Sequence, residues 1–324
     1  MKTMTPVTMR KGYATGILSG MTWGLDTVLI GVAIAMTPFV ENPVLLIGGT
    51  VICSMLHDVF AALWMLVIMG YKGRLKDLMP AIKSKDGLFC VLGALFGGPL
   101  AMTFYMLAIA KGGAALTAIV TACYPLLGSA MAMVILKEKV RLRGWLGLLI
   151  CILGIIYIGY TPGSEADVNV IGGIMLATVA AIGWATEGVV CGYGMKDGNV
   201  DPQLALLIRE LTSGIVYLLI VAPLMVGGYK EMVIGTMAVF SDTICWLTLL
   251  FTALIGMSSF FCWYTAIDLI GAAKALCLNV TYSFWAVVFT FFLVGTVLSI
   301  NIIVGSFMVV GGVAVATLVS RKKG

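Results

Sequence analysis

The sequence predicts an all-α integral membrane protein of ten transmembrane helices, built as two five-helix inverted repeats over residues 1–162 and 163–324. Three observations predict it. The chain is 61% apolar and 11% charged, with a mean hydropathy of +1.09, whereas soluble proteins are about 45–50% apolar and about 25% charged. Its apolar residues fall into ten runs, and features of its first half recur in its second. No soluble domain of 324 residues hides so much apolar surface, so lipid is the solvent for most of the chain.

Taken in order, Met1 to Lys11 is basic and leads into an apolar run over about 13–35. That run continues past Asp26 without a small-x-small cleavage site and reads as a retained first helix, not a signal. Runs follow at about 43–69, 88–109, 113–136 and 143–160, then at 170–194, 203–226, 244–268, 272–295 and 298–320. Each approaches the roughly 20 residues that a helix needs to cross the hydrocarbon. Breakers separate them: Thr37-Pro38, Asn42-Pro43, Pro80, Pro162-Gly163, Asp197-Gly198 through Asp201-Pro202, and Gly227-Gly228. No linker or low-complexity stretch suggests a soluble domain.

Charge sets the orientation. With a cytoplasmic N-terminus, the inner segments carry Lys2, Arg10, Lys11, Lys72, Arg74, Lys76, Lys83, Lys85, Lys137, Lys139, Arg141, Arg143, Lys196, Lys274, Arg321, Lys322 and Lys323, which is 17 of the 20 basic residues. The outer loops carry only Lys111 and Lys230, and Arg209 falls within a span. This positive-inside bias puts both termini in the cytoplasm, as an even helix count requires.

Shifting the first half by 161 residues superposes Trp23 on Trp184 and Asp26 on Glu187. A shift of 158 then superposes Tyr105 on Trp263, Gly113-Ala114-Ala115 on Gly271-Ala272-Ala273, and Tyr124 on Tyr282. Two halves of five helices insert with opposite orientation because five is odd, and transporters built this way hold substrate near the midplane between the repeats.

The duplicated Trp-x-x-acid is therefore the candidate site. A carboxylate within a span costs roughly 2.5–3.5 kcal/mol on insertion scales, and intramembrane acids are usually functional. Trp23 with Asp26, and Trp184 with Glu187, each lie three residues apart on one helical face. A quaternary ammonium donates no hydrogen bond, so ring faces and a nearby negative charge must hold it, at about 0.5–2 kcal/mol per ring. Tyr105, Tyr282 and Trp285 join the set as substrate-binding candidates, with Glu187 ranked before Asp26 as counter-charge. Trp263 and Tyr264 are adjacent and cannot both face inward, and Trp64, Trp145 and Trp246 read as packing or interfacial anchors. His57, Asp58, Arg209 and Glu210 form either a coupling group or a structural ion pair. Arg209 reaches for an acid on another helix, Glu187 or Asp58, and His57 titrates near neutrality. Gly97-Gly98-Pro99 and Tyr124-Pro125 break or kink their helices and are candidates for the site wall.

Other classes fit poorly. The eight cysteines are scattered singly and read as small apolar residues, and one histidine makes a histidine-based metal site improbable. The motifs G-x-S-G and G-x-G-D, an alcohol phosphotransferase pattern and a phosphate loop are all missing, which leaves no enzyme or primary pump to argue for. No cofactor or metal is expected. The net charge of +5 reflects short basic loops, not nucleic-acid binding.

The stretch Leu107-Ala108-Ile109 through Gly113-Ala114-Ala115, followed by Leu136-Lys137-Glu138-Lys139-Val140 and Gly144, resembles the EamA-type repeat of the drug/metabolite transporter superfamily. A narrower resemblance is to the bacterial choline permeases of the Lic type. It rests on Ser19-Gly20 with Trp23-Gly24, His57-Asp58, Gly98-Pro99, Gly183-Trp184 with Glu187, Leu206 to Arg209 with Thr212-Ser213, Ala272 to Ala275, and Leu278-Asn279-Val280 with Tyr282 and Trp285. The resemblance implies a secondary transporter in the bacterial cytoplasmic membrane, a monomer or homodimer, taking up choline or a similar small quaternary amine by alternating access. A proton or sodium ion is the expected coupling ion where one is used. An exporter of amino acids or other metabolites by proton exchange, and a non-transporting receptor, are the competing readings.

Overall fold

The computed structural model describes residues 5–112, 114–159, 170–295 and 299–317. Among these residues all regular structure is helical. We number the principal helices α1 (Pro6–Ile34), α2 (Pro43–Tyr71), α3 (Lys85–Ile109), α4 (Ala114–Thr121 and Tyr124–Ile135), α5 (Leu142–Gly159), α6 (Val170–Met195), α7 (Pro202–Val226), α8 (Thr243–Ile270), α9 (Ala272–Asn279 and Tyr282–Val294) and α10 (Ile300–Thr317). Among the described residues eight helices are long and apolar enough to cross a membrane, and Tyr124–Ile135 and Leu142–Ile158 are shorter apolar helices. The protein is a multi-pass membrane protein.

Local chemistry fixes the helix starts. The side chains of Thr5, Asn42, Ser84, Asp201 and Asp242 accept backbone N–H groups at the first turns of α1, α2, α3, α7 and α8. Pro6, Pro43 and Pro202 occupy first-turn positions, where no intrahelical N–H bond is lost. The Thr5–Pro6 start carries α1 back to residue 6, ahead of the apolar run at 13. Three short helices, Thr37–Glu41, Leu78–Lys83 and Tyr229–Ser241, occupy stretches that read as loops in the sequence. They are too short to produce a spanning run, and Pro80 is tolerated because it lies in a first turn. Lys2, Gly113, Pro162-Gly163, Arg321, Lys322 and Lys323 lie outside the described residues.

Four principal helices are interrupted. The backbone widens to a π-helical turn at Phe96–Leu100 in α3, around Pro99, and at Tyr217–Val221 in α7, just before Pro223. The α4 pieces part at Ala122 and Cys123, ahead of Pro125, and the α9 pieces part at Val280 and Thr281. These two breaks coincide under the 158-residue shift. The α9 break has no proline; Thr281 and Ser283 instead donate hydroxyls to the carbonyls of Leu278 and Val280.

Packing follows one scheme in both halves. The α1 helix packs against α8 and α9, and α6 packs against α3 and α4; α2 pairs with α7, and α5 with α10. Exchanging the halves leaves this list unchanged. The approach of α1 to α9 is so close that a Cβ at Gly16 would strike Leu278 and one at Gly20 would strike Thr281.

Candidate functional site

A cavity of about 320 Å³ lies at the centre of the helices, lined from α1, α2, α3, α4, α6, α7, α8 and α9. It reaches from Tyr124 and Asn279, beside the α4 and α9 breaks, to Ile34, Thr50 and Ile109 near one set of helix ends. Both Trp23 and Trp184 face it. Each meets a fourth-helix tyrosine of the opposite half: Trp23 lies 6.3 Å from Tyr282 and Trp184 lies 6.1 Å from Tyr124, ring centre to ring centre. Tyr105 stands 5.2 Å from Trp184, and Phe260 stands 5.0 Å from Trp23.

The charged residues form one buried network along a side of this aromatic wall. Asp26 Oδ1 lies 3.0 Å from His57 Nε2, and Asp58 Oδ1 lies 3.3 Å from His57 Nδ1. Asp58 Oδ2 accepts from Ser213 Oγ. Arg209 donates from Nε to Glu187 at 3.2 Å and from Nη1 to Glu210 at 2.8 Å, and Nη1 stands 3.5 Å from Asp58. Its guanidinium carbon also sits 3.9 Å above the Phe260 ring. Glu187 Oε1 accepts a second bond, from Tyr264 Oη at 3.0 Å. All six charged or titratable residues of the network are buried.

A proton count follows from this geometry. A neutral imidazole has one N–H and one bare nitrogen, and an ionised carboxylate only accepts. Both nitrogens of His57 face carboxylate oxygens. For both contacts to be hydrogen bonds, His57 must be an imidazolium or one of the two carboxyls must be protonated. With both contacts made as hydrogen bonds, the Asp26–His57–Asp58 group holds one proton beyond a neutral imidazole and two carboxylates.

The network exists because backbone makes room for it. A Cβ at Gly97, in the widened turn of α3, would collide with the Glu187 carboxylate. A Cβ at Gly256 of α8 would stand 2.5 Å from His57 Nε2 and 2.8 Å from Asp26 Oδ1.

Of the residues expected at the site, Trp23, Asp26, Tyr105, Trp184 and Tyr282 line the cavity, as do His57, Asp58 and Arg209. Two do not. Glu187 is 1% exposed and lies behind the wall, covered by α3 at Gly97 and engaged by Arg209 and Tyr264. Of the two acids, Asp26 is the one at the cavity. Trp285 packs its Cβ against Gly24 of α1 and its ring near Phe284 and Phe289. Arg209 also bonds its neighbour Glu210, besides the two acids on other helices. Glu210 does not line the cavity. Neither Trp263 nor Tyr264 faces it: Trp263 is buried, and Tyr264 is spent on Glu187. Trp64 is a packing anchor that donates to the Leu250 carbonyl at 3.0 Å.

Sequence reasoning missed Phe260, whose apolar surroundings in α8 mark nothing. Tyr124 was legible through its superposition on Tyr282 and through the Tyr124-Pro125 kink expected in the site wall. Asn279, an amide within an apolar run, was the available signal for a polar floor.

A bundle of membrane-crossing helices around a central aromatic and charged cavity defines a membrane transporter. The chain belongs to the EamA-like transporter family, which matches residues 10–160 and again residues 171–318. It is similar to Protein LicB of Haemophilus influenzae, at 27% identity over 279 residues that cover 86% of this chain and 87% of that protein. A solved crystal structure with 15% identity aligns at a TM-score of 0.70 over 96% of this chain and 98% of its own, which shows the fold.

Proposed function

We propose that the protein takes up choline or a similar small quaternary ammonium compound by alternating access through the central cavity. One observation carries this reading: Trp23, Tyr105, Trp184 and Tyr282 wall a cavity that Asp26 also lines, and Asp26 is balanced by a titratable histidine and not by a fixed cation. Ring faces supply about 0.5–2 kcal/mol each to a cation, and more where water is excluded. Phe260 is already covered by Arg209, so the four other rings carry the contact.

The reading includes the frame around the site. The ten helices act as two inverted five-helix halves, 1–162 and 163–324, with α4 and α9 crossing despite their breaks. Support comes from the packing scheme that survives exchange of the halves and from a family match that occurs once per half. Both termini face the cytoplasm of a bacterial cell, following the charge bias. Ile34, Thr50 and Ile109 then lie at the outer ends of α1, α2 and α3, so the cavity faces outward, and the close packing of Gly16 and Gly20 against α9 closes its inner side. A cation entering a negative-inside cell gains about 2.3 kcal/mol per 100 mV, which suffices to drive uptake. The role is transport, not catalysis.

The extra proton on Asp26–His57–Asp58 favours a second reading, export of amino acids or other small metabolites by proton exchange. In either direction, substrate cation and proton oppose each other at Asp26, because both add positive charge to one low-dielectric cavity. The test is uptake of labelled choline into proteoliposomes holding the purified protein. Saturable uptake driven by an inside-negative potential is expected, and its absence sinks the choline reading. A thermal-shift screen of choline, betaine, amino acids and purines then separates the two readings, since a ligand stabilises by RT ln(1 + [L]/Kd).

A further inference from the structure

The inner end of the cavity is closed by neutral polar groups. Tyr124, at the α4 break, donates its hydroxyl to Asn279 Oδ1 at 2.7 Å, and Asn279 Nδ2 donates to Ser19 Oγ at 3.1 Å. Ser19 Oγ in turn donates to the Gly16 carbonyl, and Ser259 Oγ donates to the Ser19 carbonyl. The chain of bonds joins α1, α4, α8 and α9. Tyr124 and Asn279 line the cavity, yet they are only 6% and 5% exposed.

A side-chain amide offers two N–H groups and two lone pairs on its oxygen. The bonds to Tyr124 and Ser19 use one N–H and one lone pair of Asn279. That leaves one N–H and one lone pair of this cavity-lining residue without a partner among the described residues, in a place where unpaired polar groups are costly. A ligand hydroxyl satisfies both at once, because it donates and accepts. A trimethylammonium group satisfies neither. A carboxylate would use the N–H but would bring a negative charge to a floor without a cation, while Arg209 is committed to Asp58, Glu187 and Glu210.

We infer that Asn279 is a specificity-determining residue that binds the hydroxyl end of a quaternary-ammonium alcohol, while the cationic head lies against the rings beside Asp26. This rests on the quaternary-ammonium reading above and adds what the far end of the substrate must be.

The experiment compares choline, tetramethylammonium and betaine as ligands of the full-length protein in proteoliposomes, by competition against labelled choline and by thermal shift. Wild type is expected to bind choline about tenfold more tightly than tetramethylammonium, the size of one good hydrogen bond, with betaine weakest. In Asn279→Leu the choline and tetramethylammonium affinities should become equal through loss on the choline side alone. Where that variant does not reconstitute, Asn279→Ser, too short to reach the ligand, should give the same collapse of the ratio. A wild type that binds both cations equally, or an Asn279 variant that keeps its preference for choline, overturns the inference and leaves the transport reading standing. A wild type that binds neither cation overturns that reading, and the inference falls with it.

Discussion

The two halves carry the same ionic arrangement and use it differently. In each, a helix bearing Trp-x-x-acid is followed by a helix bearing a base next to an acid: Trp23 and Asp26 with His57-Asp58, and Trp184 and Glu187 with Arg209-Glu210. In each, the acid of the first helix bonds the base of the second, at 3.0 Å for Asp26–His57 and 3.2 Å for Glu187–Arg209. The first pair lies at the cavity and its base can lose its charge. In the second only the acid, Glu187, lies behind the wall; its base, Arg209, reaches the cavity, is permanently charged and is enclosed by three carboxylates. The asymmetry puts the acid of the first half at the cavity and buries the acid of the second, and on the proposed transport reading the first is the one that meets the ligand.

The largest effect should come from removing the fixed cation. Arg209→Ala leaves Glu187 and Glu210 buried without a counter-charge and Asp58 with His57 alone, and should cost about 3–5 kcal/mol, the usual result of breaking a buried pair from one side. A large drop in melting temperature of the detergent-solubilised protein is expected. A variant that melts like wild type would show the second half-site to be dispensable.

Next comes Asp26→Asn. A unit-charge contact at about 4 Å is worth roughly 4 kcal/mol at an effective dielectric of 20, so choline affinity should fall by roughly 2–4 kcal/mol while the protein stays folded. Isothermal titration measures this, and an unchanged affinity would move the counter-charge elsewhere. Glu187→Gln should do the opposite. It keeps an oxygen that can accept from both Tyr264 and Arg209 but removes the charge opposite Arg209, so stability drops by about 1–3 kcal/mol while choline affinity holds. Lost affinity with full stability would invert the comparison.

The titratable half-site should also be visible in pH dependence. His57 is faced by Asp26 and Asp58, with Arg209 and Glu210 beyond. Because the extra proton and the cation compete, choline affinity should rise with pH, by up to about tenfold per unit where one proton leaves per cation bound. In His57→Gln that slope should flatten.

The smallest effect belongs to the Arg74 pairs at the end of α2, which reach Asp77 and Asp201 and are partly exposed. Burial raises the Asp201 carboxyl, but Arg74 and the backbone N–H groups of Leu204 and Gln203 outweigh it and hold it below the usual range. This contribution is present above about pH 4 and is lost as pH falls below it. Arg74→Ala should therefore change stability by only about 0–1 kcal/mol near neutral pH, which a melting curve of the two proteins compares directly.

Much of this was written in the sequence, for a local reason. The cost of moving polar groups into hydrocarbon acts residue by residue, so the membrane class, the approximate helices and the expensive residues Asp26, Asp58, Glu187 and Arg209 could be read off the chain. The duplicated Trp-x-x-acid could be read too, because a repeat preserves spacing. The helices at Thr37–Glu41, Leu78–Lys83 and Tyr229–Ser241 could not, being too short for hydropathy to mark.

What spacing could not decide is which acid of the pair meets the cavity. The α1 and α6 helices are apolar around most of their circumference, so neither shows a polar face that tells inside from outside. Trp23 and Asp26 are spaced like Trp184 and Glu187, yet α3, passing at Gly97, covers Glu187, and Arg209 from α7 holds it there. The sequence by itself determined that charged pairs sit within the membrane. The packing of neighbouring helices, which a one-dimensional pattern does not contain, decided which of the two acids reaches the cavity.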